Sequence, residues 1–246
     1  MSARLHGAGR AGVVVLDGGP GASGEVTPVA QALAGLGVTA LEPVQTGHVI
    51  TDVVAALRDD IAQHSTVPVV LVGWSWGAWL ACLYAAAHPG DVRKVVLIGC
   101  PPFTQSGASQ MRQTRSARLS RAQMAEIAAQ QDTDRLMQLF DISDAFDPVD
   151  IPHPPVSTDW DQHRALWAEA SALRRSGAML ERALSLPMPV RALHGVYDPH
   201  PAEDVRHSLA ALPDFEMTVI DACGHKPWRE AQAWPVFHDL LAAQAT

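Results

Sequence analysis

Four short runs of apolar residues recur along the chain, and segments with helical spacing separate them. The runs lie at residues 13–16, 67–72, 92–98 and 190–194. A strand that is apolar at every position is buried on both faces, as it is in a parallel sheet covered by helices. The alternation therefore predicts an α/β fold with a mostly parallel sheet flanked by helices.

Weaker patterns complete this arrangement. Residues 37–41 and 216–220 are further strand candidates, and apolar residues at helical spacing predict helices at 51–64, 78–88 and 202–212 and from about residue 230. Between residues 101 and 187 the sequence shows only helical patterns, including one over residues 160–175. A capping box at Ser120 and Gln123 opens a helix, and a proline cluster follows at residues 148–155. We expect residues 1–100 and 188–246 to form the α/β core and residues 101–187 to form an inserted helical lid.

Composition excludes several classes of protein. The chain has 26 acidic and 18 basic residues, whereas a nucleic-acid-binding protein would carry a surplus of basic residues. Its three cysteines are widely spaced without a CxxC motif, which argues against a disulfide framework or a cysteine zinc site. The first residues lack the apolar stretch of a signal peptide, and no run is long enough to span a bilayer. These features indicate a soluble cytoplasmic protein that binds neither nucleic acid nor membranes; its oligomeric state stays open.

The pentapeptide Gly73-Trp74-Ser75-Trp76-Gly77 is a G-x-S-x-G motif between a buried strand and a helix of small residues. In this setting the serine occupies a tight strand-to-helix turn, and its hydroxyl projects from the carboxyl end of the sheet. Glycines are needed on either side because the strand and the helix approach closely there. The motif predicts a nucleophilic Ser75.

A nucleophilic serine needs a base, an acid that orients the base, and N–H donors for the oxyanion. His225 and Asp198 each follow a predicted strand and are the candidate base and acid. Asp221 competes with Asp198, but it lies on the same loop as His225 and could simply bond local backbone. The backbone N–H groups of Gly19 and Trp76 are the candidate oxyanion hole.

The glycine-rich loop that contains Gly19, the serine motif, and the segments that carry Asp198 and His225 together resemble the capped, prolyl-aminopeptidase-like branch of the α/β-hydrolases. Members of that branch carry an H-G-G-P-G loop, a G-x-S-W-G elbow, an Asp after G-x-Y, and a late G-H-x-P-W. The corresponding stretches here are residues 17–21, 73–77, 195–198 and 224–228. The resemblance implies an α/β-hydrolase fold and serine-hydrolase chemistry over the whole chain except the lid.

The chain departs from that pattern in two ways. Asp17 stands where the family has His, and a carboxylate facing the oxyanion hole would oppose the developing negative charge. We therefore expect Asp17 to point away and to accept hydrogen bonds from loop N–H groups. Only about ten residues precede the first core strand, so the usual N-terminal antiparallel hairpin must be shortened or absent.

The sequence favours a cofactor-independent serine hydrolase that cleaves a small carboxylic ester or amide through an acyl-enzyme on Ser75. Tryptophan is abundant near the motifs, and Trp74, Trp167 and Trp228 are candidate walls of the substrate pocket, although filling the core would explain them equally well. The sequence suggests no metal site, although His194, Asp198 and His200 could in principle ligate a metal ion.

Two alternatives stay open. A prolyl-type aminopeptidase would need a lid carboxylate to hold the free amine of its substrate, and Glu169, Asp159 and Asp161 are possible. A non-catalytic ligand-binding protein is also compatible with the fold. Four arginines at every third residue from Arg112 to Arg121 are interpreted as a solvated helix face.

Overall fold

The computed structural model describes residues 3–129, 133–150 and 157–245, and its strands form two sheets. In chain order the strands are β1 (Ala3–His6), β2 (Ala11–Leu16), β3 (Ala22–Ser23), β4 (Ala40–Pro43), β5 (Ser65–Trp74), β6 (Val92–Ile98), β7 (Ser157–Thr158), β8 (Val190–Gly195) and β9 (Phe215–Ile220). Seven of them form one sheet in the order β1-β4-β2-β5-β6-β8-β9. All neighbours in that sheet are parallel except β1, which pairs with β4 in the antiparallel direction. The predicted α/β fold is confirmed.

Ten helices accompany the strands within the described residues. They are α1 (Thr27–Gly35), α2 (Ile50–His64), α3 (Trp76–Ala87), α4 (Gln105–Arg118), α5 (Arg121–Ala129), α6 (Thr133–Asp144), α7 (Trp160–Ser176), α8 (Ala178–Leu184), α9 (Ala202–Leu209) and α10 (Ala233–Ala245). Short 3-10 turns lie at Pro89–Asp91 and Pro227–Arg229. Helices α4 to α8 all fall between β6 and β8, where the sequence predicted a helical insertion. None of the helices described has the combination of length and apolar character that crossing a bilayer requires.

The sheet is buried on both faces, as its continuous apolar strands predicted. On β5, Val69 and Leu71 point to the side covered by α2 and α3, whereas Val70 and Val72 point to the side covered by α1 and α10. All four side chains are at most 1% exposed. Because successive side chains of a strand alternate between faces, a central strand can satisfy both layers only if every position is apolar.

The N-terminal edge of the sheet is short. Strand β1 forms this edge and pairs with the outer side of β4, from Ala3 opposite Pro43 to His6 opposite Ala40. A single antiparallel strand thus stands where the family resemblance implied a hairpin. The second strand of the sequence prediction, residues 37–41, begins and ends later in the structure, at Ala40–Pro43.

Two of the arginines that the sequence suggested were solvated join α4 to α6. Arg115 forms a two-pronged ion pair with the buried carboxylate of Asp144 on α6. Arg118 donates to the carbonyl oxygen of Ser143, and its guanidinium lies 3.5 Å from the ring centre of Tyr197. The interpretation as a solvated face is therefore wrong for these two residues, although Arg112 is exposed.

Two further predictions for the insertion have different outcomes. The capping box is confirmed, since the Ser120 N–H donates to the Gln123 side chain and the Gln123 N–H donates to the Ser120 hydroxyl. Most of the proline cluster, residues 151–155, lies outside the described residues.

Candidate active site

The turn between β5 and α3 has the strained geometry that the G-x-S-x-G motif predicts. Ser75 has φ +52° and ψ −124°, a conformation that non-glycine residues rarely adopt. A Cβ atom on Gly73 would lie 2.1 Å from the carbonyl oxygen of Gly77, and one on Gly77 would lie 2.4 Å from the carbonyl oxygen of Leu16. Both motif glycines are therefore required by the close approach of strand and helix. The turn is anchored by the Ser75 N–H, which donates to the carbonyl oxygen of Ile98 at 2.9 Å.

The structure brings Asp198 and His225 together at the same end of the sheet. His225 Nδ1 lies 2.8 Å from Asp198 Oδ2, and both side chains are buried. The loops that carry them are joined, because the Tyr197 N–H donates to the carbonyl oxygen of Cys223 at 2.8 Å. The backbones approach so closely that a Cβ on Gly195 would lie 2.2 Å from that same oxygen.

The charge of Asp198 fixes the tautomer of His225. Burial alone would raise the pKa of Asp198, but the His225, His194 and His200 rings and the hydrogen bond from His225 together outweigh it and hold the pKa well below its usual range. An ionised carboxylate can only accept hydrogen bonds, so His225 Nδ1 carries the proton that Asp198 accepts. The other ring nitrogen, Nε2, is then free to accept a proton.

Two further histidines surround Asp198. The His200 N–H donates to Asp198 Oδ1 at 2.8 Å, and His200 Nδ1 lies 2.9 Å from the carbonyl oxygen of Gly99. The His200 ring stands edge-on to the His225 ring with centroids 4.3 Å apart. Burial lowers the pKa of His200 to about 3, so this ring is neutral. His194 Nε2 lies 3.5 Å from Asp198 Oδ2 and bonds the carbonyl oxygen of His200.

These groups also have the spacing of a metal site. Ligand atoms of Asp198, His200 and His225 lie within 4.8 Å of one another, a set that differs from the sequence candidate by having His225 in place of His194. Each of the three already has a protein partner, since Asp198 accepts from His225 and from the His200 N–H, and His200 is bonded to Gly99. Hydrogen bonding within the protein therefore accounts for the cluster.

Two predicted pocket residues, Trp74 and Trp228, pack behind the histidine. Trp74 Nε1 donates to the carbonyl oxygen of His225 at 2.8 Å, and the two rings lie 5.1 Å apart. Trp228 packs edge-on against Trp74 at 5.1 Å and continues into the core at Phe237. Both tryptophans are at most 3% exposed, so in this structure they support the His225 loop.

The third predicted pocket residue, Trp167, lies on α7 and is partly buried. Its ring stacks on Trp79 of α3 at 6.1 Å and on His163 at 6.3 Å. His163 Nδ1 in turn lies 3.1 Å from the carbonyl oxygen of Pro20, in the glycine loop. Helix α7 therefore covers both the glycine loop and the start of α3, where a lid would lie.

Asp17 adopts the orientation that the sequence analysis predicted. Its two carboxylate oxygens accept hydrogen bonds from the N–H groups of Gly24 and Val26, at 3.0 and 2.9 Å. Complete burial, followed by the nearby charge of Glu42, raises the pKa of Asp17 to about 7, against the lowering effect of those two bonds. The Asp17 side chain thus holds the backbone of residues 17–26 in place through these two hydrogen bonds.

One proposed oxyanion donor, Gly19, lies in the glycine loop, and the other, Trp76, lies at the start of α3. Gly19 has φ +60°, and Trp76 is the first residue of α3. Neither backbone N–H donates to a carbonyl oxygen within the part of the chain that the structure describes. Free N–H groups at a helix N-terminus and in a glycine turn are suited to bind an anionic oxygen.

Sequence reasoning missed the residues that tie the insertion to the His225 loop. The His225 N–H donates to the carbonyl oxygen of Asp144 at 2.9 Å. The buried carboxylate of Glu230 accepts N–H bonds from three residues, namely Gly224, Phe146 and Asp147. Lys226 Nζ bonds Glu25 at 2.9 Å and Asp141 at 2.7 Å. Except for the Gly224–Glu230 bond, each contact joins segments far apart in sequence, and no local motif identifies it.

The lid carboxylates considered for an amine-binding site all have other roles. Glu169 accepts the N–H of Ile50 at 2.8 Å. Asp159 is the N-cap of α7. Asp161 is exposed and pairs with Arg164 on the same helix.

Comparison with known proteins agrees with this geometry. A family model described as "Alpha/beta hydrolase family" matches residues 2–236. The chain belongs to the alpha/beta hydrolase family. The strained serine turn, the glycine loop and the strand-end histidine are features that such hydrolases use.

Among relatives within the alpha/beta hydrolases, the pimeloyl-[acyl-carrier protein] methyl ester esterase of Chromobacterium violaceum is 32% identical over 85 residues. That match spans 34% of this chain and 34% of the esterase. The crystal structure of VinJ has a TM-score of 0.72 at 19% identity and covers 98% of this chain and 94% of its own. Proline iminopeptidase from Mycobacterium smegmatis has a TM-score of 0.65 at 15% identity, covering 99% and 94%. At these identities the two structures share the fold with this chain.

Proposed function

We propose that this protein is a serine hydrolase that cleaves a small carboxylic ester or amide through an acyl-enzyme on Ser75. One observation carries the proposal: a strained serine at the N-terminus of α3 shares the carboxyl end of the sheet with a buried His225–Asp198 pair at 2.8 Å. Strain of this kind persists only where the surrounding structure holds it, and it is typical of functional sites.

In the proposed mechanism, Ser75 Oγ attacks the substrate carbonyl carbon while His225 Nε2 takes the hydroxyl proton. Asp198 holds the Nδ1–H and stabilises the imidazolium that forms. The N–H groups of Gly19 and Trp76 bind the oxyanion of the tetrahedral intermediate. When the intermediate collapses, His225 returns the proton to the leaving alcohol or amine, and the acyl group stays on Ser75.

Deacylation repeats these steps with water as the nucleophile. His225 Nε2 removes a proton from water, the resulting hydroxide attacks the acyl carbon, and Ser75 leaves with that proton. The product is the free carboxylic acid. No step requires a cofactor. Residues 101–187 form the proposed lid, which closes over Ser75 through α7 and determines the acyl groups that are accepted.

An ester is the favoured substrate over an N-terminal proline peptide. The relative from Chromobacterium violaceum is a methyl ester esterase, although the match covers a third of that protein. The three lid carboxylates that could have held a free amine are bonded to Ile50, to the start of α7 and to Arg164. No other described feature favours the aminopeptidase alternative or a non-catalytic binding role.

The test is labelling with a fluorophosphonate probe, followed by mass mapping of the modified peptide. We expect modification at Ser75, hydrolysis of short ethyl esters, and loss of both in Ser75→Ala with an unchanged circular-dichroism spectrum. Absence of labelling in well-folded protein would contradict the mechanism, as would ester hydrolysis retained in Ser75→Ala.

A further inference from the structure

Arg174 on α7 is a largely buried cation whose side chain has no hydrogen-bond or ion-pair partner among the described residues. The residue is 9% exposed, and its Nε has no hydrogen-bond partner. Its side chain forms no hydrogen bond or ion pair with any described residue. Arginine stays protonated in proteins, and an unpaired buried charge is costly, so such a group calls for a ligand that supplies the missing acceptor.

A second unpartnered donor lies beside it. Trp79 is fully buried, and its Nε1 has no hydrogen-bond partner. The Arg174 guanidinium carbon lies 5.8 Å from the centre of the Trp79 ring. One small acceptor group can therefore reach both donors.

The pair is near the proposed nucleophile. Trp79 lies four residues after Ser75 on α3, which is one helical turn or about 6 Å along the axis. Two other aromatic rings border Trp79. Its ring stacks on Trp167 at 6.1 Å and packs against Phe103 at 6.3 Å. An acyl chain that starts at Ser75 and runs between α3 and α7 would pass these aromatic rings before it reaches Arg174.

The local charge favours an anion. The negative charge of Asp204 acts on Arg174 but the two residues form no ion pair, because Asp204 accepts hydrogen bonds from the Phe103 and Thr104 N–H groups and from the Thr104 hydroxyl. The positive charges of Arg112 and Arg175 also act on Arg174. A carboxylate would satisfy a buried guanidinium better than a neutral carbonyl group, since charge-assisted hydrogen bonds are roughly twice as strong.

We propose that Arg174 and Trp79 bind a carboxylate at the far end of the substrate's acyl group. The preferred substrates are then half-esters of dicarboxylic acids, with the ester carbonyl at Ser75 and the free carboxylate between the guanidinium and the indole N–H. This inference rests on the proposed acyl-enzyme at Ser75 and adds a substrate class to it.

The experiment compares esters of equal chain length with and without the terminal carboxylate. Monoethyl glutarate, adipate and pimelate are paired with ethyl pentanoate, hexanoate and heptanoate, and kcat/KM is measured by acid release in a pH-stat. We expect wild type to prefer at least one half-ester by about tenfold or more. Taking the ratio within each pair cancels any general loss of activity in a variant.

Three variants locate the preference. Arg174→Met should bring the ratio to about one, and Trp79→Phe, which keeps an aromatic ring but removes the N–H, should lower it several-fold. Arg182→Met, the control, removes an exposed positive charge on α8 that plays no part in the proposed site and should leave the ratio unchanged. A wild-type ratio near one would overturn the inference, as would a ratio that Arg174→Met does not alter.

A binding measurement separates this inference from the proposed function. Calorimetric titration of monoethyl adipate into Ser75→Ala and into Ser75→Ala/Arg174→Met examines the site without turnover. Binding to the first variant that is lost in the second supports the carboxylate site even if the protein hydrolyses nothing. Equal binding, or none to either variant, overturns the inference, whereas ester hydrolysis without preference leaves the proposed function intact.

Discussion

Asp17 and Asp198 occupy similar places in the molecule but differ in electrostatic state. Each is a buried aspartate just beyond the carboxyl end of a parallel strand, Asp17 after β2 and Asp198 after β8. Their pKa values move in opposite directions: burial raises that of Asp17 to about 7, whereas the pKa of Asp198 falls well below its usual range.

The surroundings explain the difference. Burial disfavours both carboxylates, but Asp198 faces the His225 ring, whose imidazolium form it stabilises. Asp17 has only backbone N–H donors, and Glu42 adds a second negative charge nearby. The comparison shows that position at a strand end does not determine the role of an acid. Asp198 has the partner needed to orient a base, and Asp17 holds a loop.

Replacing each of the two acids with asparagine should give the largest expected difference in activity. Asp198→Asn should lower kcat by roughly 10³–10⁴-fold, because the amide no longer holds His225 in the required tautomer. Asp17→Asn should cost at least a hundredfold less activity, since one loop N–H bond can be kept. The measurement is ester hydrolysis by both variants, with circular dichroism and thermal unfolding as controls. Equal losses would mean that the Asp17 loop takes part directly in the reaction.

The sequence predicted where Asp17 and Asp198 lie, but not the opposite shifts of their pKa values. The elbow, the strand-end loops and the outward turn of Asp17 follow from local motifs, because glycine spacing and apolar runs are local properties. The raised pKa of Asp17 depends first on its burial and then on Glu42, which lies on β4, and the His225 loop is held by Asp144 on α6. Such contacts depend on tertiary packing, and a single sequence carries no signal for them.

The arginines of α4 show the same limit. Their spacing of three residues fits a helix face, and exposure is the usual state of charged side chains. Arg115 is instead paired with a carboxylate 29 residues later in the chain, on a helix whose position the sequence does not specify. The cap of α5 was predictable because both of its bonds lie within four residues.

The pH dependence of stability tests the electrostatic contrast directly. An acid whose pKa is raised in the folded state binds more protons there than in the unfolded chain, so its contribution to stability falls as pH rises. For Asp17 that fall lies between about pH 4 and pH 7 and amounts to at most about 4 kcal/mol. Asp17→Asn should gain stability relative to wild type over that window, as measured by urea unfolding.

Asp198 has the opposite sign. Its pKa is lowered in the folded state, so its contribution is present above the unfolded pKa of about 4 and is lost as pH falls below it. The difference in unfolding free energy between wild type and Asp198→Asn should therefore shrink in acid. Difference curves that are flat for both variants would remove the electrostatic basis of the comparison.

Gly99 offers a smaller, geometric test of the Asp198 cluster. A Cβ atom there would lie 2.8 Å from His225 Nδ1 and 2.9 Å from Asp198 Oδ2, and the residue has φ +51°. Gly99→Ala should lower kcat about ten- to a hundredfold and destabilise the fold by about 1–3 kcal/mol. Gly90→Ala is the matched control, since its Cβ would meet open space and its φ is not positive. Unchanged kinetics in Gly99→Ala would show that the pair tolerates displacement.

The smallest expected effect concerns Asp221, the competing acid on the His225 loop. The residue is exposed, and no hydrogen bond joins it to His225 among the residues described. An exposed carboxylate in water contributes little to the orientation of a buried ring, because solvent screens its charge. Asp221→Asn should therefore keep kcat/KM within about twofold of wild type for the same esters.

A hundredfold loss in Asp221→Asn, together with a mild effect of Asp198→Asn, would reassign the acid to the loop of the base. The comparison between Asp17 and Asp198 would then lose its functional meaning, although the opposite pKa shifts would remain. If Asp221→Asn stays near wild type, the acid is selected by its buried partner and not by proximity along the chain, because Asp198 lies 27 residues from His225 in sequence and 2.8 Å from it in space.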